Sequence, residues 1–241
     1  IDRKIRFHHR VVRAEWSSAD ARWTVTASRS DTGETLQLTC GFLLTCTGYY
    51  RYDQGHTPEF PGRERFAGRI IHPQHWPADL DYTGKRVIII GSGATAVTLA
   101  PAMAATAAHV TMLQRSPTYI ASMPSIDPVA SWLQRLLPER VAQPVVRWKN
   151  IARQLYLYQL ARRRPEAFKG VLRKLTRQQL PPGYDIDRHF KPSYDPWDQR
   201  LCLVPDADLF KAIRTGNVDI VTDHIDTFTE TGILLKSGEA L

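Results

Sequence analysis

Lys85-Arg86-Val87-Ile88-Ile89-Ile90-Gly91-Ser92-Gly93-Ala94-Thr95-Ala96 is the stretch on which the fold turns. The β-branched run up to Ile90 predicts a strand, and the small, alanine-rich run from Ala94 to Ala108 predicts a helix. Between them lies a Gly-x-Gly-x-x-Ala turn with a definite physical purpose. Gly91 permits a tight bend, Gly93 lets backbone N–H groups approach a pyrophosphate, and Ala96 allows the helix to pack close to the strand, with Ser92, Ala94 and Thr95 completing the cradle. Val110-Thr111-Met112-Leu113 makes the next strand. Strand, turn, helix, strand is one βαβ unit, a crossover that is right-handed in about 98% of cases, which puts the glycines at the carboxyl edge of a parallel sheet. Pro101 is out of place in that helix and should cost about 3 kcal/mol unless the helix kinks there.

The second strand runs into Gln114-Arg115-Ser116. Sites that prefer the unphosphorylated coenzyme place an Asp or Glu near this point to hold the adenosine ribose, and a carboxylate would repel a 2′-phosphate. Arg115 instead offers a fixed fork of donors matched to phosphate oxygens, so the pattern predicts a preference for NADPH, with Ser116 and Gln114 as lesser contacts. A surface arginine at a strand end is the competing reading.

Upstream, Arg10 to Trp16 and Arg22 to Ser28 alternate apolar and polar residues around Ser17-Ser18-Ala19-Asp20, a hairpin pattern. After Asp31-Thr32-Gly33-Glu34, the stretch Thr35 to Thr47 ends in Phe42-Leu43-Leu44, as expected for a strand buried on both faces and closed by Gly48. Residues 51 to 83 are rich in Pro, Gly and charge without a sustained period and predict an ordered linker between domains. Downstream, 128 to 180 is helical in pattern, interrupted at Pro138, Pro144 and Pro165, within an insertion spanning about 124–183. An irregular loop to Arg200 follows, then a short strand at Leu201 to Val204, a helix from Asp208 to Thr215 capped by Gly216, and a strand at Val218 to Val221. Thr227 to Leu235 predicts half of a hairpin turning at Lys236-Ser237-Gly238-Glu239, with its partner strand missing.

The chain has 241 residues, 43% of them hydrophobic, enough for a sizeable core. No apolar run is long enough to span a bilayer, and no leader opens the sequence, so a cytoplasmic protein is expected. Three cysteines, Cys40, Cys46 and Cys202, lack the spacing of a disulfide framework, a zinc ribbon or a dithiol redox centre. The formal net charge of +8 concentrates around Arg162-Arg163-Arg164, Lys169, Arg173, Lys174 and Arg177. Its plain reading is a solvated helix face, and its sharper one a peripheral membrane or partner contact. No zinc finger, aromatic RNA-binding motif or helix-turn-helix accompanies it, so no nucleic-acid partner is expected. His72, His75 and Trp76 could hint at a metal, but no further ligand stands at metal spacing nearby.

Phe66-Ala67-Gly68-Arg69-Ile70-Ile71-His72-Pro73-Gln74-His75-Trp76-Pro77, just ahead of the glycine turn, resembles the fingerprint of Baeyer-Villiger monooxygenases. Relatives that oxygenate nitrogen or sulfur usually carry Tyr or Phe where Trp76 stands. The resemblance extends through Thr47-Gly48-Tyr49-Tyr50, Gln114-Arg115-Ser116-Pro117 and Pro196-Trp197-Asp198-Gln199-Arg200, within the branch that activates thioamide prodrugs such as ethionamide. It implies an α/β fold: a Rossmann-like NADPH-binding domain of the two-dinucleotide-binding-domain flavoprotein type over 84–241, carrying the helical insertion. The β-rich tail of an FAD domain would occupy 1–50, and a linker 51–83. It implies that His72 couples cofactor movement to oxygenation from the linker, where Phe66, Gly68 and Trp76 pack.

By the same resemblance Arg200 matches the active-site arginine beside the flavin, where a permanent guanidinium would stabilise the negative charge that oxygenation concentrates. Gln199 stands where many relatives have a phosphate-holding Lys, which shifts weight to Arg115. Gly48 either admits the flavin's nucleotide part or only turns the chain. The implied activity uses NADPH, FAD and O2 on a ketone, thioether or thioamide, with this chain an internal fragment that binds NADP(H) and turns nothing over. An oligomer is compatible with all of this. The rivals are an N- or S-hydroxylating relative, a non-catalytic NADP(H)-binding module, and a disulfide reductase, which the cysteine spacing disfavours.

Overall fold

The structure is a computed structural model that describes residues 2–48 and 50–241. The chain divides into two compact units, residues 1–55 and 56–241.

In the first unit, β1 (His9–Ser17), β2 (Arg22–Arg29) and β3 (Thr35–Cys40) form an antiparallel meander in the order β1-β2-β3. The turn-prone Ser17 and Asp20 make the first connection: Ser17 Oγ donates to the Asp20 carboxylate at 2.8 Å. Trp16 faces Trp23 across the strands with ring centroids 5.5 Å apart. Val25 and Ala27 of the central strand are buried. The strand expected to reach Thr47 ends at Cys40 instead, and Phe42 and Leu44 are 79% and 73% exposed. Burial on both faces needs neighbours that cover them, and beyond Cys40 no strand pairs with this segment among the described residues. Tyr49 lies outside the described residues; Tyr52 Oη donates to the Thr47 carbonyl at 2.9 Å.

The second unit opens with the strand, helix and strand read around the glycine turn, and departs from the sequence reading at Tyr119–Met123, a strand, and at Ile186–His189, a short helix inside the stretch read as an irregular loop. β4 (Arg86–Ile90), α1 (Ala94–Met103) and β5 (His109–Gln114) are the βαβ unit, with β4 and β5 parallel. Next come β6 (Tyr119–Met123), α2 (Pro128–Leu136), α3 (Glu139–Arg163), α4 (Pro165–Gln179) and α5 (Ile186–His189). The chain closes with β7 (Leu201–Pro205), α6 (Asp208–Arg214), β8 (Val218–Thr222), β9 (Ile225–Phe228) and β10 (Ile233–Leu235). The parallel sheet runs β4-β5-β8, and β6 pairs with β7 in a second parallel sheet. The core sits between β5, β8, α1 and α6, where Val110, Met112, Val218, Ala100, Leu209 and Phe210 are fully buried.

Further expectations need correction. The helix after the glycines stops at Met103 rather than Ala108: the Thr106 N–H turns back three residues to the Met103 carbonyl, and the Ala108 N–H leaves the helix to donate to the Lys85 carbonyl. Pro101 stays inside it, with hydrogen-bonded rungs before and after, Val97 to Gly93 and Ala104 to Ala100. Pro138 and Pro165 do mark helix boundaries, but Pro144 lies within the 25-residue α3 and removes one rung without ending it. Thr227 to Leu235 is not one strand: the Thr229 and Gly232 backbones bond each other, splitting the run into β9 and β10. The turn read at 236–239 forms, with the Leu235 N–H donating to the Glu239 carbonyl, and beyond it only Ala240 and Leu241 return, through an isolated bridge to Leu234 and a bond from Leu241 to the Ile233 carbonyl. A Cβ at Gly232 would collide with the Leu241 carbonyl oxygen, so glycine is what lets this return happen.

Within the segment read as linker, residues from His56 onward pack into the second unit. The Pro61 carbonyl accepts the Phe228 N–H at 2.7 Å, and the Phe60 and Phe66 rings lie 5.5 and 6.0 Å from that of Phe228. Only two short 3-10 turns, Arg63–Arg65 and Pro73–His75, interrupt its irregular path.

Candidate functional site

The strand β4 delivers Gly91 at φ 126°, a conformation that residues with a side chain rarely adopt, and its N–H donates to the Leu113 carbonyl at 2.7 Å. The turn is thereby tied to the end of β5. Gly93 is the N-cap of α1, and no side chain caps that terminus. The first-turn N–H groups are therefore left as donors for something else, at the positive end of the helix dipole.

Beside this terminus opens a cleft of about 370 Å³. It is lined by Ser92 and Gly93 from the turn, Ser116 to Thr118 beyond β5, and Tyr194, Gln199 and Arg200 from the loop before β7. The β6–β7 pairing explains the convergence, because matching Tyr119 with Leu201 sets Thr118 next to Arg200. Ser92 Oγ lies 3.1 Å from Thr118 Oγ1, a hydroxyl pair at the floor of the cleft. The Arg200 side chain reaches over Gly93, so that a Cβ there would meet its Nη1. Its guanidinium has no carboxylate partner among the described residues. Two positive sources thus face one space without an anion between them, which is the electrostatic form of an anion site.

The residues singled out from sequence fall into three groups. Gly91, Ser92, Gly93, Ala94, Thr95, Ala96, Ser116, Gln199 and Arg200 come together around this cleft or its helix terminus. Arg115, next in the chain to Ser116, does not line the cleft; it is exposed and outside any ion pair among the described residues. Gln114 is buried instead, its Nε2 donating to the His189 carbonyl and to Thr222 Oγ1 at 2.8 Å each, so its side chain braces β5 against β8 and α5. Further away, His72 Nδ1 accepts the Gln74 N–H at 3.2 Å and caps the short turn that follows, while Trp76 stands edge-on to Tyr82 at 6.3 Å. Neither lines the cleft. Gly48, at φ 67°, belongs to the other unit.

Sequence reading missed Thr118, Pro117 and Tyr194 as cleft residues. The β-branched and aromatic run Thr118-Tyr119-Ile120 was a usable strand signal for the first two. Tyr194, inside an irregular loop, left none. Cys202, just past Arg200, is buried, and burial pushes its thiol pKa up against the opposing influence of Arg200. A protonated, buried thiol is not a nucleophile. No helix among the described residues is long and apolar enough to cross a membrane.

The model of the flavin-binding monooxygenase-like proteins matches residues 3–162. The FAD-containing monooxygenase EthA of Mycolicibacterium smegmatis is 57% identical over 242 residues, covering 100% of this chain and 49% of that protein. The probable FAD-binding monooxygenase AlmA of Acinetobacter baylyi is 51% identical over 243 residues, with 100% and 48% covered. The chain spans about half the length of the curated relatives it matches. Among solved structures, an oxidized steroid monooxygenase bound to NADP superposes with a TM-score of 0.69 at 21% identity, over 100% of this chain and 51% of that one. A cyclohexanone monooxygenase from Rhodococcus sp. Phi1 bound to NADP+ gives 0.63 at 19%, over 99% and 50%. These two likenesses establish the α/β fold.

Proposed function

This chain belongs to the flavin-binding monooxygenase-like family, and from that premise we propose that it carries the NADPH site of a Baeyer-Villiger-type monooxygenase. The complete protein would use NADPH, FAD and O2 to insert oxygen into a ketone or to oxidise a thioether or thioamide sulfur. One observation carries the reading: the Arg200 guanidinium, with no carboxylate partner among the described residues, reaches over Gly93 at the uncapped start of α1.

The donor set fits a phosphorylated dinucleotide. The N–H groups of the Gly91–Ala96 turn face the pyrophosphate, and Ser92 adds a hydroxyl. Arg115 and Ser116 hold the 2′-phosphate, with Gln199 as a neutral second contact and Gln114 bracing the strand end from behind. Trp76 and His72 act from the linker, His72 through the turn that it caps rather than by proton transfer to substrate. Gly48 offers a side-chain-free approach for the flavin nucleotide. FAD, when bound, supplies the activation of oxygen. Arg200 would supply a permanent positive charge to negative charge developing during oxygen transfer, and such a donor is typically worth about 3 to 4 kcal/mol in the transition state.

We place the protein in the cytoplasm. A docking role for the basic helices would rest on Arg163, Arg164, Lys174 and Arg177, which enter no ion pair among the described residues. Titration with NADPH and NADH tests the site: the wild type binds NADPH more tightly, and Arg115→Ala abolishes the difference. Equal affinities that survive Arg115→Ala would sink the assignment. The 241-residue chain alone is expected to bind NADP(H) and oxygenate nothing. Assaying a cyclic ketone against a thioether in the complete protein separates ester formation from sulfur oxidation.

A further inference from the structure

We infer that Arg162 of α3 and Lys169 of α4 are positioning residues for the nucleotide cleft, clamping the loop that presents Gln199 and Arg200. The inference rests on the NADP(H) reading of that cleft. Arg162 pairs with the Asp198 carboxylate, and Lys169 Nζ lies 2.6 Å from that of Asp195. The two clamps bracket Trp197, whose φ of 73° is unusual for a bulky residue. A strained conformation persists only where its surroundings over-determine it, and here they do. Edge contact of Trp197 with Tyr158 at 6.1 Å, the Asp198 N–H donating to the Asp195 carbonyl at 3.0 Å, and Tyr194 Oη donating to the Arg200 carbonyl at 2.9 Å complete the frame. Tyr119 Oη in turn donates to the Tyr194 carbonyl at 2.9 Å, anchoring the loop to β6.

Partly exposed ion pairs contribute little to global stability, so these two are poor explanations for stability. Their placement on either side of a strained residue, immediately before the two side chains that enter the cleft, gives them a conformational task instead. Two members of what looks in sequence like a solvated basic face, Arg162 and Lys169, are thus the counter-charge of an acidic loop. Both clamps lower the freedom of Arg200, and the affinity gained is the ordering entropy that the nucleotide no longer has to supply.

The test uses the complete protein and NADP+ as the probe. Asp198→Asn and Asp195→Asn remove negative charge near an anion site, so on Coulomb grounds alone they should tighten binding; the clamp requires them to weaken it. Arg162→Ala, Lys169→Ala, Asp198→Asn and Asp195→Asn are each expected to weaken NADP+ binding by about three- to tenfold. Arg162→Lys recovers part of the loss, and the effects disappear in an Arg200→Ala background. Arg173→Ala, on the same helix as Lys169 but paired with Asp187, leaves binding unchanged. Tighter binding by the Asn variants, or losses fully additive with Arg200→Ala, overturns the inference. Hydrogen exchange of residues 195–200, read without nucleotide, decides the clamp independently: faster exchange in the Ala variants supports it and unchanged exchange refutes it. A wild type with slow exchange but no NADP+ binding would instead refute the nucleotide reading.

Discussion

Two three-stranded sheets of this chain bury themselves very differently. In the parallel sheet the central strand β5 is covered from Val110 to Gln114, whereas in the antiparallel meander the strand β1 is open along nearly its whole length. Val11 and Val12 are 59% and 58% exposed, yet the ladder with β2 holds in register apart from one shift between Val11 and Arg13. Backbone pairing and local turns suffice to define a strand, while packing decides how much energy stands behind it.

The largest expected break in that contrast comes from Phe210, fully buried between α6 and the parallel sheet. Phe210→Ala should cost about 3 to 5 kcal/mol in thermal or urea unfolding, whereas Val12→Ala should stay within about 0.5 kcal/mol. A comparable loss at Val12 would mean that the β1 face is covered. Next, Arg115→Ala should reduce NADPH affinity by about 10- to 100-fold without altering NADH binding, measured by titration, since a charge-assisted pair is worth about 1.5 to 3 kcal/mol. Trp16→Ala should remove about 0.5 to 1.5 kcal/mol of cross-strand stacking, seen as faster hydrogen exchange in β1 and β2 while β5 is unaffected.

The smallest effect is on pH. Asp127 caps α2 and pairs with Lys149 of α3, and that pairing first, with its backbone hydrogen bonds, lowers its pKa to about 2. A folded pKa below the unfolded value contributes stability that is complete above about pH 4 and lost as pH falls toward 2. Helical circular dichroism should therefore decline over that interval, and Asp127→Ala should flatten the decline. An identical acid titration in the variant would remove Asp127 as its cause.

Legibility in the sequence followed range. The β4, glycine turn, α1, β5 unit was readable because each step rests on neighbours, and the cleft's Gly93 and Ser116 came with it. Element ends were less so: Ala104 to Ala108 has the composition of helix, but a local turn onto Met103 and a tertiary bond from Ala108 to Lys85 end it. The β6 strand was missed because its partner lies about eighty positions later, across the helical insertion. Arg200 was reached only through resemblance. Its clamps were invisible, since no periodicity links Arg162 to Asp198 or Lys169 to Asp195, and a cation's partner is a property of the folded surface.

Gly232 is constrained by space alone. Its backbone is not in the left-handed region, so its identity is dictated by crowding from the returning chain at Leu241 rather than by torsion. A saturation library at this codon should recover glycine alone in the folded pool, with alanine already excluded, and shortening the chain before Leu241 should relieve that restriction.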